Sequence, residues 1–210
     1  MSAAPMIPSP EAYFGKFLPA RDPLLQHMEQ EAQRENIPIV GPVMGELLYL
    51  LTTLGQARRV LELGTATGYS TLFLARACRA FGGRVLTVES DPQMAARARA
   101  NFQTADLADT IELRQGDALD VVRGLGGPFD LVFMDIDKAS VASIRLPSDS
   151  PRRLPLRAGG LLVADNTAFR DADGFNRAIA ADPGWRGLHL YAFLPGHSPE
   201  KDAVTLALRI

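Results

Sequence analysis

A single cysteine, Cys78, occurs in the 210 residues, so no intrachain disulfide can staple the fold. That thiol shares a helical face with Leu74 and Phe81, the pattern of a packed rather than a reactive group. An excess of either charge is also missing: 22 Lys and Arg stand against 24 Asp and Glu, a net charge of −2. This argues against a protein whose main task is to coat nucleic acid or an anionic membrane. No apolar run approaches the roughly 18 residues that a bilayer span requires. The opening "MSAAPMIPSPEAYF" has no basic stretch leading into an apolar one, so no signal peptide is expected, and the expected compartment is the cytoplasm. There is no internal repeat and no low-complexity block beyond the proline-rich start.

What the chain does have is 47% hydrophobic residues, enough at this length for one full core. Residues 1–210 are read as a single domain, with 1–57 as an N-terminal helical extension over the cofactor and substrate side. "DPLLQHMEQEAQREN" (22–36) opens with Asp22 and Pro23, a helix start, and "PVMGELLYLLTTL" (42–54) is a second apolar-faced helix. An alternation follows. The strands "RRVLELG", "RVLTVE", "TIELRQ", "FDLVFMD" and "GLLVAD" are separated by the helices "STLFLARACRAF", "DPQMAARARANFQT" and "DALDVVRGL" and by an irregular region. The helix "DADGFNRAIAADP" and the strands "GLHLYAFL" and "AVTLALRI" close the chain. This order predicts an α/β, Rossmann-like, doubly wound and mostly parallel seven-stranded sheet, with an antiparallel C-terminal hairpin at one edge.

Such a sheet binds ligands beyond the carboxyl ends of its strands. The polar residues at those ends are Glu62 with Gly64, Glu89, Asp117, Asp135 with Asp137 and Lys138, and Asp165 with Asn166. In "VLELGTATGYS", Gly64 and Gly68 permit a tight turn and close approach of a ligand, but the spacing is not the dinucleotide fingerprint. Glu89 ends the next strand, where a carboxylate accepts from both hydroxyls of a ribose. The pair favours an adenosine-type cofactor over a strand end and a solvated rim. Asp117, or the Ala118 amide, could reach an adenine edge, or Asp117 could only cap a helix. Asp135, Asp165 and Asn166 offer two carboxylates and an amide oxygen, a set suited to Mg²⁺, Mn²⁺ or Ca²⁺ and poorly suited to Zn²⁺. The same residues could equally be a helix cap and a turn.

With "VLTVESDP", "GDAL", "FDLVFMDIDK", "GGLLVADN", "FNRAIAADP" and "DAVTLALRI" in this order, the chain resembles the cation-dependent O-methyltransferases that include catechol and caffeoyl-CoA O-methyltransferase. The similarity runs from about Pro38 to Ile210. It implies S-adenosylmethionine as methyl donor, held by Glu62, Gly64, Ser70, Glu89, Ala118 and Asp137, with Val40 packed beside it. It implies a divalent cation on Asp135, Asp165 and Asn166, with Mg²⁺ first among the candidates, and Lys138 as the base for the acceptor hydroxyl. A small acceptor with vicinal hydroxyls and a homodimer are the implied partners. The segment after "DIDK", "ASVASIRLPSDSPRRLPLRAGG", departs from the family's usual tyrosines and unbroken helix, because Pro147, Pro151 and Pro155 interrupt it. Two rivals follow: a tRNA-modifying enzyme of the same fold, which Arg145, Arg152, Arg153 and Arg157 would serve, and a cofactor-binding protein without turnover. His197, Glu200 and Lys201, between the last two strands, are lesser acceptor-side candidates. His27 and His189 read as structural or solvated.

Overall fold

The computed structural model describes residues 6–136, 154–192 and 201–210. Helix α1 (Pro10–Gly15), which the sequence reading did not anticipate, precedes α2 (Pro23–Glu35) and α3 (Gly41–Leu54). Asp22 caps α2 by accepting from the Leu25 amide at 2.9 Å, and Pro23 fills the first position, where no N–H is needed. Asn36 ends the helix in the left-handed region, at φ 54°. The alternation then runs β1 (Arg59–Leu63), α4 (Tyr69–Arg79), β2 (Arg84–Glu89), α5 (Pro92–Thr104), β3 (Ile111–Gln115), α6 (Ala118–Arg123), β4 (Phe129–Met134) and β5 (Leu156–Ala164). A 3₁₀ turn (Arg170–Ala172) leads into α7 (Asp173–Ala181), and β6 (Trp185–Ala192) and β7 (Asp202–Arg209) complete the sheet.

The strand order is β3-β2-β1-β4-β5-β7-β6, parallel from β3 to β5 and antiparallel for β7 and β6, as expected from the pattern. Strand β5 starts at Leu156, earlier than its apolar run suggests. Its pairing with β4 slips between Phe129 and Leu131, where Gly159 adopts φ +71°. Side chains alternate across the sheet. Val60, Val85, Leu131, Phe133 and Val163 join the core under α2 to α5, whereas Leu61, Leu63, Val132, Met134 and Leu162 join the core under α6 and α7. Cys78 is fully buried, and burial pushes its thiol up to about 11, in keeping with a packing role. No helix among the described residues is long and apolar enough to cross a membrane.

Candidate active site

After β1 the chain passes to β2 on one side, and β4 then pairs on the other, so the carboxyl end of β1 is a switch point. A cavity of about 550 Å³ opens there. Val40, Gly64, Ser70, Glu89, Asp117, Ala118 and Asp135 all line it, which gathers most of the candidate cofactor residues around one space. The sequence reading missed part of the wall. Glu35 to Ile39, between α2 and α3, covers one side, and Tyr69, Ser90 and Met94 complete another. The signal for the first of these was the Asn36 helix end with Pro38 two residues on, which brings the chain back over the strand ends. The Tyr69 hydroxyl donates to Glu29 Oε1 at 2.5 Å and ties α4 to α2, and burial pushes this phenol up.

Gly64 is required by geometry. It sits at φ +95°, and a Cβ there would lie 2.1 Å from the Asp135 carbonyl oxygen. The turn it opens is braced by Glu89, whose Oε2 accepts from the Thr65 and Ala66 amides at 3.2 and 2.7 Å. The other oxygen accepts from the Asp91 amide at 2.9 Å. Glu89 thus shapes the glycine turn as well as facing the cavity. Asp117 Oδ1 accepts from the Leu119 and Asp120 amides at 2.9 and 3.1 Å, so it caps α6 while standing on the rim.

Glu62 lies elsewhere. Two residues after Val60 on β1, it points beneath α4 and is fully buried, outside the cavity lining. Ser70 and Thr87 hydroxyls donate to it at 2.6 Å each, and Thr71 donates as well. Burial pushes the Glu62 carboxyl up to about 7, the three hydroxyls hold it down, and the charge of Asp135 adds to the rise. In this structure Glu62 anchors the first turn of α4, and Ser70 carries the link to the cavity wall.

The candidate cation ligands come from the next strands. Met134 pairs with Ala164, and the Asp165 amide donates to the Met134 carbonyl at 3.0 Å, so Asp135 and Asp165 leave adjacent parallel strands side by side. Asp165 is buried, and its Oδ1 accepts from the Asn166 amide at 2.8 Å. Asn166 sits at φ 52°, a conformation asparagine tolerates. Among the described residues no three His, Cys, Asp or Glu side chains gather as a metal cage. The sequence reading also missed Asp202, the first residue of β7, whose Oδ2 accepts from Asn166 Nδ2 at 2.6 Å. Asp137, Lys138, His197, Glu200, Arg145, Arg152 and Arg153 lie outside the described residues. Arg157 pairs with Asp130 at 2.7 Å, near the start of β4 and away from the cavity, and His189 meets the Thr205 hydroxyl at 2.7 Å.

A doubly wound sheet with a glycine turn after β1, an acidic end to β2 and a nucleoside-sized cavity between them defines a Rossmann-like methyltransferase. The O-methyltransferase family model matches residues 20–183. The catechol O-methyltransferase of Mycobacterium tuberculosis is 41% identical over 170 residues, 79% of this chain and 74% of that one. The catechol O-methyltransferase of Niastella koreensis is 35% identical over 178 residues, covering 80% and 75%. The crystal structure of a Bacillus cereus O-methyltransferase in complex with SAH superposes with a TM-score of 0.82 at 30% identity, over 96% of this chain and 97% of that one. TomG, a Streptomyces achromogenes O-methyltransferase of tomaymycin synthesis solved with SAM, gives 0.81 at 29% identity over 96% of each. The chain belongs to the O-methyltransferase family and is an O-methyltransferase.

Proposed function

We propose that this enzyme moves the methyl group of S-adenosylmethionine to one oxygen of a small acceptor with vicinal hydroxyls, and that it needs a divalent cation to do so. One observation carries the reading: Asp135 lines the nucleoside-sized cavity, and the Asp165–Asn166 pair ends the strand paired next to it. Two carboxylates and an amide oxygen, with no thiolate or imidazole, fit a hard cation. Asp135, Asp165 and Asn166 would hold it, with room left for acceptor oxygens beside them. A cation there supplies Lewis acidity, lowering the pKa of an acceptor hydroxyl.

The protein does the rest by positioning. The Gly64 turn brings backbone close to the methyl donor, and Glu89 keeps lone pairs for the ribose hydroxyls while it braces that turn. Lys138, three residues after Asp135, takes the proton from the acceptor hydroxyl. The oxygen then attacks the sulfonium methyl in line, the old C–S bond breaks with its electron pair on sulfur, and S-adenosylhomocysteine and a methyl ether result. Both relatives named for catechol support the vicinal-hydroxyl acceptor. Release of S-adenosylhomocysteine across a panel of catechols and matched monophenols tests it. Turnover confined to the catechols is expected, and equal rates on the monophenols would contradict it.

The proposed assembly is a homodimer. The N-terminal helices carry exposed apolar side chains, Phe14 and Phe17 at α1 and Tyr49, Leu50 and Leu54 on α3, and burying such groups is the usual driving force for association.

A further inference from the structure

The turn after β5 is tied to the first residues of β7 at several points. The Thr167 amide donates to the Ala203 carbonyl at 2.8 Å, and the Thr167 hydroxyl donates to the same oxygen at 3.0 Å. The Ala168 amide reaches Asp202 Oδ1 at 3.3 Å, and the Ala203 amide donates to that oxygen at 2.6 Å. Asp202 is only 2% exposed, an expensive place for a carboxylate unless donors surround it. Its second oxygen accepts from the Asn166 side-chain amide at 2.6 Å.

That last contact decides how Asn166 faces. A carboxamide has one accepting end and one donating end, whereas an ionised carboxylate only accepts. Asp202 therefore takes the NH₂ end and turns the amide oxygen away from itself. An amide flipped the other way would offer a cation two N–H hydrogens. We propose that Asp202 is a positioning residue for the cation site, fixing the Asn166 amide so that its oxygen is the ligand. The inference rests on the cation-dependent reading above. Asp202 meets the NH₂ end of Asn166, the end a cation cannot use, so its proposed part is to hold a ligand rather than to be one. Partners in that position orient and tune metal ligands, and their loss weakens metal binding by about 10–100-fold.

The test is Mn²⁺ affinity, read by calorimetry and by the Mn²⁺ electron-resonance signal, on the full chain with S-adenosylhomocysteine bound. In Asp202→Asn the Oδ1 must still accept from the Ala168 and Ala203 amides, so its NH₂ meets the NH₂ of Asn166. The double variant Asp202→Asn with Asn166→Asp restores a donor–acceptor pair with reversed polarity and returns an oxygen to the cation. Expected is a Mn²⁺ affinity weaker by about 10–100-fold in the single variant, recovered to within a few-fold of the parent in the double variant. Affinity for S-adenosylhomocysteine should stay within about twofold throughout, because Asp202 does not line that cavity. A single variant that binds Mn²⁺ like the parent overturns the proposal, as does a loss that the double variant leaves unrepaired. A parent protein with no Mn²⁺ site at all, indistinguishable from Asp165→Ala, overturns the cation reading itself and the inference with it.

Discussion

Two glutamates of this enzyme have similar sequence surroundings and opposite circumstances. Glu89 is half-buried, faces the cavity and accepts three backbone N–H bonds that shape the glycine turn. If Glu89 also accepts from the ribose, as proposed, Glu89→Ala should weaken S-adenosylmethionine binding by about 10–150-fold, the equivalent of losing about 1.5–3 kcal/mol in a charged hydrogen bond. Isothermal calorimetry measures this, and an unchanged affinity would take Glu89 out of the site. Glu62 is outside the cavity lining and accepts from three hydroxyls instead. Its carboxyl rises from an ordinary 4.5 to about 7 on folding, chiefly through burial. The folded state therefore keeps this proton to higher pH than the unfolded chain does. Its stabilising contribution is complete below pH 4.5 and lost as pH rises through 7. In chelated protein, thermal melts at pH 5 and pH 8 should show the parent losing on the order of 2 kcal/mol, about 4–8 °C, relative to Glu62→Gln. Parallel pH dependences in the two proteins would contradict the buried-charge account.

At the scale of elements, the stretch from β1 to α4 is the most constrained. Gly64→Ala places a methyl group against the Asp135 carbonyl while forcing alanine to φ +95°, so both the turn and the β4 end must shift. A drop in melting temperature of several degrees with loss of cofactor binding is expected by scanning fluorimetry and calorimetry; a variant that binds normally would show that the turn has slack. This turn was legible in the sequence because glycine spacing and strand ends are local properties. So were α2 and α5, each announced by an aspartate cap and a proline, and Asp91 does accept from the Gln93 and Met94 amides. What pairing depends on was not legible. The slip between β4 and β5 arises from register across two strands, and α1 is too short to show a helical period. Glu62 could be placed at a strand end, but only the alternation of β1 beneath α4 turns it away from the cavity. Asp202 opens a recognised strand, yet its partner Asn166 is 36 residues away, and nothing local marks the pair.

At the scale of the whole molecule, the sheet order brings residues from β1, β2, β4 and β5 to one edge, and the N-terminal helices line one side of the cavity there only through the α2–α3 connection, Glu35 to Val40. Those helices also carry exposed phenylalanine, tyrosine and leucine side chains, so light scattering at micromolar concentration should give twice the chain mass; a monomer would end the dimer proposal. The central claim concerns Asp135 and Asp165. Two carboxylates at neighbouring strand ends bring like charge together, and a cation between them would offset that repulsion. On this account it would also anchor the acceptor oxygens. Methyl transfer to a catechol, measured with EDTA and again after Mg²⁺ or Mn²⁺ is restored, tests this most directly. The account predicts that activity vanishes in chelator and returns with metal while S-adenosylmethionine binding persists, and that Asp165→Ala stays inactive at any metal concentration; full activity in excess chelator would contradict it.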